Sequence, residues 1–455
     1  MKTNKTTKKT AVPVFTAEGA RASQINAEKQ LRRSVMACML WEGAFYEDGE
    51  DISMRIASLI PSVNPEKVAE MAVKARVEQK LRHVPLFIAR EMARSDKHKH
   101  LVSETLQNII QRPDELTEFL SIYWKEKKQP ISNQIKKGLA QAFTKFDEYS
   151  LAKYNRQEAI KLRDVLFLTH PKPVNKAQEK IWKKLVDGTL ATPDTWEVSL
   201  SAGKDKKETF TRLIKEGKLG GLAMLRNLRN MEEAGVPVEV VRKGLKEMDV
   251  ERVLPFRFIT AAKYAPRYEA ELEAAMLKNL STNTKLPGKT VVIVDVSGSM
   301  NAQLSAKSEL TRQEAANALT MILREVGKDV VIYATGGNDH AMVHATSLVP
   351  SRRGFALNEA IKKAERELGG GGIFLTQVMD YTLKQEKKAD RVIVITDEQD
   401  CDRKCNPSLA EKWGKRNYLI NISVEKNGIG YGDFVHIDGW SEAIVDYIIE
   451  LEKAD

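Results

Sequence analysis

The first 280 residues repeat the spacing of amphipathic helices. Apolar side chains recur three and four positions apart in successive stretches, for example in PEKVAEMAVKARVEQKL from residue 65 and SNQIKKGLAQAFTKF from residue 132. Proline or glycine stands at nearly every boundary between stretches, and the alternating pattern of β-strands is absent. Paired helices joined by short turns build α-solenoids, but a globular bundle has the same rhythm, so both architectures stay open on this pattern alone.

The pattern changes near residue 287. Runs rich in Val and Ile, such as TVVIVDV from residue 290 and RVIVITD from residue 391, alternate from there on with helical stretches, and a helix is predicted to close the chain over 440–454. This alternation is typical of a parallel sheet with helices on both faces. We therefore predict three segments: a disordered basic arm over 1–19, an α-helical repeat region over 20–284 and a doubly wound α/β domain over 285–455.

Length and composition narrow the class of protein. A chain of 455 residues is too long for one ordinary core, which supports at least two domains. No stretch approaches the roughly 18 apolar residues of a membrane span, and the Lys- and Thr-rich N-terminus lacks the apolar segment of a signal peptide. The three cysteines are an odd number, as expected in a reducing compartment, so we predict a cytoplasmic protein with no membrane partner.

Positive charge is concentrated in the predicted helical region. Residues 1–290 hold 52 Lys and Arg against 37 Asp and Glu, whereas residues 291–455 hold 20 against 25. A basic body is typical of proteins that bind polyanions, although a solvated basic surface gives the same counts.

The basic residues are densest between 149 and 185, where Tyr149, Tyr154 and Trp182 interleave with them, and a second basic run covers 195–231. Cations attract phosphates, and aromatic faces stack on unpaired bases, so both runs are candidates for nucleic-acid contacts. Solvated helix faces would look the same. The candidate nucleic-acid-binding residues are Lys153, Arg156, Lys161, His170, Lys172, Lys204, Lys207, Arg226 and Arg229.

The run VVIVDVSGSM places three oxygen donors after a predicted strand. Asp295 ends the strand, and Ser297 and Ser299 follow at alternate positions. Ligands of doubly wound sheets bind beyond the carboxyl ends of the strands, so these side chains are expected to converge with Asp397, which follows another strand. Together with Thr376, they predict a site for Mg²⁺ or another divalent cation that keeps open positions.

Three other interpretations of this motif were weighed. An Asp-Ser-Gly-Ser turn can serve only to cap a helix. A serine nucleophile would need an elbow of the type G-x-S-x-G and a His/Asp pair, which the surrounding sequence lacks. A metal-dependent hydrolase would need a base and a second metal that are not evident.

The motif resembles the metal-ion-dependent adhesion site of von Willebrand factor A domains, in which an Asp-x-Ser-x-Ser loop, a Thr and a further Asp bind the metal. That family usually places its Thr directly after a glycine pair, whereas residues 373–375 intervene here. The resemblance implies a site that binds the carboxylate of a partner protein at the metal's open position and does not catalyse a reaction.

The segment TWEVSLSAGKDKKETFTRLIKEGKLGGLAMLRNLRN, with LRDVLFLTHPKP before it and RVLPFRFITAAKYA after it, resembles the TROVE module. A TROVE module followed by a von Willebrand A domain is the order found in Ro ribonucleoproteins. The resemblance implies a monomeric closed ring of HEAT-like helical repeats, with the von Willebrand A domain bridging its ends.

The functional implication of this resemblance is RNA binding without catalysis. Ro-like proteins bind a small structured noncoding RNA, the Y RNA, on the outer surface and single-stranded 3′ ends of defective noncoding RNAs through the hole. In bacterial members the Y RNA tethers a 3′-to-5′ exoribonuclease. The positions that match the Y RNA surface are Lys153, Arg156 and His170. The alternative function is a protein-interaction scaffold that binds an acidic partner at the metal site, with the basic surface incidental.

Overall fold

A computed structural model describes residues 14–16, 21–22, 26–37, 49–77, 81–156, 158–250, 253, 255–281, 285–304, 310–403, 416–423, 428, 434–439, 444, 448 and 452. A helix-rich part is followed by a part built on a six-stranded mixed sheet, in the predicted order. Cys38, Cys405 and most of the closing helix predicted over 440–454 lie outside the described residues.

The N-terminal part is helical as its apolar spacing predicted, apart from a short antiparallel pair formed by β1 (Val14–Phe15) and β2 (Arg21–Ala22). Polar side chains begin several helices by accepting a hydrogen bond from the first turn, as Ser132, Asp147 and Asn175 do. The helices are α1 (Ala27–Ala37), α2 (Gly49–Leu59), α3 (Pro65–Val77), α4 (His83–Arg94), α5 (Val102–Ile109), α6 (Pro113–Tyr123), α7 (Asn133–Phe143), α8 (Glu148–Tyr154), α9 (Leu162–Thr169), α10 (Lys176–Asp187), α11 (Trp196–Ser201), α12 (Lys206–Lys215), α13 (Gly221–Arg226), α14 (Leu228–Glu233), α15 (Val238–Glu247), α16 (Pro255–Tyr264) and α17 (Glu269–Ser281).

The C-terminal part alternates strands with helices. Its strands are β3 (Leu286–Asp295), β4 (Gly327–Asn338), β5 (Val343–Leu348), β6 (Arg391–Thr396), β7 (Asn417–Asn421) and β8 (Val435–Asp438). Its helices are α18 (Arg312–Val326), α19 (Gly354–Leu368) and α20 (Leu375–Gln385). The strand order is β5-β4-β3-β6-β7-β8, and the order reverses between β3 and β6, which is where doubly wound sheets bind ligands.

One edge of the sheet differs from the prediction. The sequence predicted a parallel sheet, but β5 pairs antiparallel with β4, and residues 343–348 were not predicted as a strand. The link between these strands, residues 339–342, is too short for the crossover that a parallel pair requires, so it forms a hairpin instead. The alternation of apolar residues over β5 is weak because its side chains are only partly buried.

The apolar cores divide the chain differently from its secondary structure. One core runs from Leu31 to Leu185 and belongs to the first helices. A second core begins at Phe210 and includes Val292 and Val294 of β3, so the later helices and one face of the sheet share it. The helix-to-strand transition near residue 285 is therefore not a boundary between cores.

The C-terminal part contacts both ends of the helical part. At one end, Arg33 of α1 forms a buried ion pair with Glu398, which follows β6. At the other end, Lys263 of α16 pairs with Glu314 of α18 at 2.9 Å. None of the helices in the described residues combines the length and apolarity needed to cross a membrane.

Candidate functional sites

The predicted oxygen donors converge at the point where the strand order reverses. Asp295 is the last residue of β3, and its Oδ2 accepts a hydrogen bond of 2.6 Å from the Thr396 hydroxyl at the end of β6. Its Oδ1 accepts one of 2.8 Å from the backbone N–H of Ser297. The hydroxyls of Ser297 and Ser299 lie 3.2 Å apart, so the loop after β3 directs both towards the same region.

Two buried carboxylates make this region strongly electronegative. Burial, and then the charge of neighbouring Asp397, raise the pKa of Asp295 to about 7, against the hydrogen bonds from Ser297 and Thr396. Asp397 is also buried, directly after β6. Such a pair requires a nearby cation or a proton.

The cation that the structure provides is a guanidinium. Arg312, the first residue of α18, donates from Nη1 to Asp397 Oδ2 at 2.9 Å, and both side chains are buried. The sequence prediction missed Arg312 because it lies 85 residues from Asp397 and outside the motif. Thr376 is buried in the first turn of α20, three positions beyond the buried, apolar Ile373.

These residues fit a divalent cation poorly. Asp295 and Asp397 lie at the ends of neighbouring strands, but the guanidinium holds one oxygen of Asp397, and Ile373 lacks the hydroxyl expected directly after the glycine run. Within the described residues, no group of three His, Cys, Asp or Glu side chains could hold a metal ion. The Mg²⁺ site therefore stays a prediction.

A second buried ionic cluster lies between α1 and the C-terminal strands. Glu398 pairs with Arg33 and with His436 Nδ1 of β8 at 3.1 Å, and Arg33 Nε lies 3.4 Å from Asp438 Oδ1. Burial favours the neutral form of Glu398, but the charges of Arg33 and His436 outweigh it and lower the pKa to about 2. Burial raises the pKa of Asp438 to about 6, against the charge of Arg33. The cluster joins α1 to the C-terminal strands.

The first basic run folds as α8, α9 and α10. Lys153 at the end of α8 lies 5.8 Å from the centre of the Tyr154 ring, and the guanidinium of Arg112 lies 4.5 Å from the same ring. Arg112 was not predicted, because it stands directly before α6 and only the fold brings it to the basic run.

The remaining candidates of the basic runs lie along α8 to α12. Arg156 is exposed after α8, and Lys161 precedes α9, with its backbone N–H donating to Asp164 at 2.8 Å. His170 ends α9 in the left-handed conformation, with a φ of 46°. The candidates Lys172, Lys204 and Lys207 are exposed as well.

Arg226 and Arg229 line one cavity of about 380 Å³ together with Arg257 of α16. The wall also includes Asn230, Thr260 and Tyr264. We call this cavity the arginine pocket. Leu225 and Leu228 belong to the second core, so the core anchors α13 and α14, the helices that carry the arginines of the pocket.

Arg257 and Tyr264 were not among the predicted residues. Both are exposed, although Arg257 also lies 4.8 Å from the Phe256 ring. Their spacing of seven, with Thr260 between them, places them on one face of a helix. That polar stripe was visible in the sequence, but only the packing of α16 against α13 and α14 shows which residues it joins.

A family profile described as the TROVE domain matches residues 188–366. Residues 188–366 are a TROVE domain. This span contains the arginine pocket and Arg312, whereas the basic run over 149–185 precedes it. The TROVE match begins close to the gap between the two apolar cores and crosses the predicted boundary at 284.

Two curated relatives are similar to parts of this chain. Telomerase protein component 1 of Mus musculus is 31% identical over 138 residues, and that of Rattus norvegicus is 37% identical over 91 residues. These matches cover 29% and 19% of this chain but only 5% and 4% of the relatives, so the similarity concerns a small part of much longer proteins.

The fold as a whole is similar to the crystal structure of the Deinococcus radiodurans RO (RSR) protein. The two align with a TM-score of 0.62 over 94% of this chain and 100% of that one, at 18% sequence identity. The likeness extends beyond the TROVE domain to the helices before it and to strands β6, β7 and β8 after it.

Proposed function

We propose that this protein binds RNA as a noncatalytic component of ribonucleoproteins, and that the arginine pocket binds single-stranded RNA. The observation that carries the proposal is the convergence of Arg226, Arg229 and Arg257 on one cavity that also has an exposed tyrosine. The TROVE domain that contains the pocket supports RNA binding in general.

The chemistry of the pocket suits a polynucleotide without base pairing. Guanidinium groups donate two parallel hydrogen bonds to a phosphate, and their planes also stack on bases. The ring of Tyr264, 38% exposed, offers a further stacking face for an unpaired base. Asn230 and Thr260 supply donors and acceptors for base edges or for a 2′-hydroxyl.

A second surface is proposed for structured RNA. Lys153, Arg156 and His170 lie on or beside α8 and α9, outside the arginine pocket, which allows one RNA of the Y type and one single-stranded 3′ end to bind at the same time. We propose that the single-stranded ligands are 3′ ends of defective noncoding RNAs, and that a 3′-to-5′ exoribonuclease joins the complex through the structured RNA in the cytoplasm.

The proposed architecture is a monomeric closed ring of HEAT-type repeats. The contacts of the C-terminal part with both α1 and α16 support closure, since one body then touches both ends of the helical array. The fold likeness to the RO protein supports the same arrangement.

The pocket proposal is tested with matched double variants. Arg226→Glu with Arg257→Glu should weaken binding of a fluorescent single-stranded oligoribonucleotide at least tenfold and lower the salt dependence, by about 0.7 in slope for each lost phosphate contact. Lys243→Glu with Lys246→Glu on α15 changes the net charge equally outside the pocket and should cost much less. Equal losses of affinity in the two double variants would show that net charge alone causes the effect. An unchanged affinity in the Arg226/Arg257 variant would exclude the pocket from the RNA site.

A further inference from the structure

Arg312 occupies a position that is electrostatically unfavourable in its own helix. It is the first residue of α18, where the helix dipole presents its positive end and disfavours a cation. The Thr311 hydroxyl and the Glu314 side chain cap the helix there without help from Arg312. The placement of the guanidinium therefore needs a compensating contact elsewhere, and Asp397 provides it.

The loop after β3 and the start of α18 are built as one unit. The backbone N–H of Arg312 donates to the carbonyl of Ala302 at 2.9 Å, and that of Leu304 donates to Leu310 at 3.0 Å. Arg312 Nη1 also lies 3.5 Å from the carbonyl oxygen of Ser299. The guanidinium is thus fixed from the backbone side as well as by its carboxylate, and its side chain is 1% exposed.

The carboxylate oxygens already accept hydrogen bonds. Asp397 accepts from Arg312 at Oδ2 and from the backbone N–H of Gln399 at Oδ1, 3.2 Å away. Both oxygens of Asp295 accept from Ser297 and Thr396. A metal ion bound here would have to displace some of these donors or share their oxygens.

A divalent cation would also meet the charge of the guanidinium. Two positive charges that share a buried site repel strongly, because little water screens them, and a divalent ion doubles the repulsion. The glycine run does not supply a compensating ligand at its end, because Gly372 donates to Asp339 and the next residue is the buried Ile373.

We infer that the Arg312 guanidinium is the resident cation of this site and takes the place of a divalent metal ion. The site then ties α18 to the end of β6 without metal, and a partner's carboxylate finds no open coordination position. The inference does not depend on RNA binding, and it counts against the scaffold alternative, which requires the metal.

The test uses the full chain after dialysis against a chelator. Mn²⁺ is then added, and its binding is measured by calorimetry and by electron paramagnetic resonance. Wild type and Arg312→Lys should bind no stoichiometric Mn²⁺ at 1 mM total metal, on the order of the weakest functional protein sites for hard cations. Arg312→Ser removes the charge and frees Asp397 Oδ2, so it should gain one Mn²⁺ per chain, which the added change Asp295→Asn should abolish.

Two results would overturn the inference. One is a stoichiometric Mn²⁺ ion in the wild type that is lost in Asp295→Asn. The other is a folded Arg312→Ser variant that binds no Mn²⁺. If Arg312→Ser fails to fold, the wild-type titration decides alone, together with its melting temperature, which the inference expects to be the same in Mg²⁺ and in chelator.

Discussion

At the scale of single residues, Asp438 shows that a buried carboxylate can destabilise the folded state even when it lies next to a cation. Its carboxylate lies 3.4 Å from Arg33, yet burial raises its pKa to about 6 from an ordinary value of 3.8. The folded state therefore binds this proton more tightly than the unfolded state does. The resulting contribution to folding stability is fully present below the ordinary pKa of 3.8 and is lost as the pH rises through about 6.

We expect Asp438→Asn to become more stable than the wild type as the pH rises. Asn mimics the protonated carboxyl and leaves Arg33 its partner Glu398, so no buried cation is orphaned. The difference in unfolding free energy should be small near pH 4 and reach about 1–3 kcal/mol near pH 7, from roughly 1.4 kcal/mol for each unit of pKa. Urea denaturation of both proteins across this range measures it, and a difference that shrinks with pH would contradict the prediction.

At the scale of elements, α8 and α9 carry the surface proposed for structured RNA. Charge reversal at Lys153, Arg156 and Lys161 should weaken binding of a small hairpin RNA severalfold or more. Each lost phosphate contact means that fewer counterions are released from the RNA on binding, and this release favours the complex. All three side chains lie outside the apolar cores, so the fold should survive. Filter binding checks the affinity, and circular dichroism checks the helices.

The control for this prediction is a single-stranded oligoribonucleotide. Its binding should change little in the triple variant, since the arginine pocket lies on α13, α14 and α16. A hairpin affinity equal to that of the wild type would exclude α8 and α9 from the RNA surface. Equal losses for both RNAs would show that one continuous surface binds them.

Elements built from local periodicity could be predicted, and contacts between distant elements could not. The helical spacing before residue 280 and the Val/Ile runs after it predicted the helices and most strands, and strand-end logic predicted that Asp295 would lie near Asp397. The pairing of β5 depends on the length of one hairpin link. Arg312 reaches Asp397 only through the docking of α18, which no spacing within the motif encodes.

At the scale of the molecule, Arg33 is the contact that joins the first described helix to the C-terminal strands. Arg33→Met should leave the buried Glu398 without its guanidinium partner, and removing one partner of a buried ion pair costs about 3–5 kcal/mol. We expect hydrogen exchange to accelerate in α1 and β8 while α5 and α7, deep in the first core, stay protected.

The double variant Arg33→Met with Glu398→Gln supplies the control. It removes both charges, so it should recover much of the lost stability if the unpaired carboxylate is the cause of the loss. A double variant no more stable than Arg33→Met would assign the loss to packing instead. Protection that falls equally in all helices would show that the chain opens as one unit.

The pairing of Arg33 with Glu398 spans 365 positions of the chain. During synthesis the ribosome therefore releases α1 long before it makes Glu398, the carboxylate that neutralises Arg33. Until then, the nascent protein lacks the carboxylate with which Arg33 pairs in the folded protein, and α1 cannot make its contact with the C-terminal strands. A product cut short by a damaged message would lack Glu398 and the strands around it, so truncated copies should differ from complete ones in protease sensitivity and in chaperone binding.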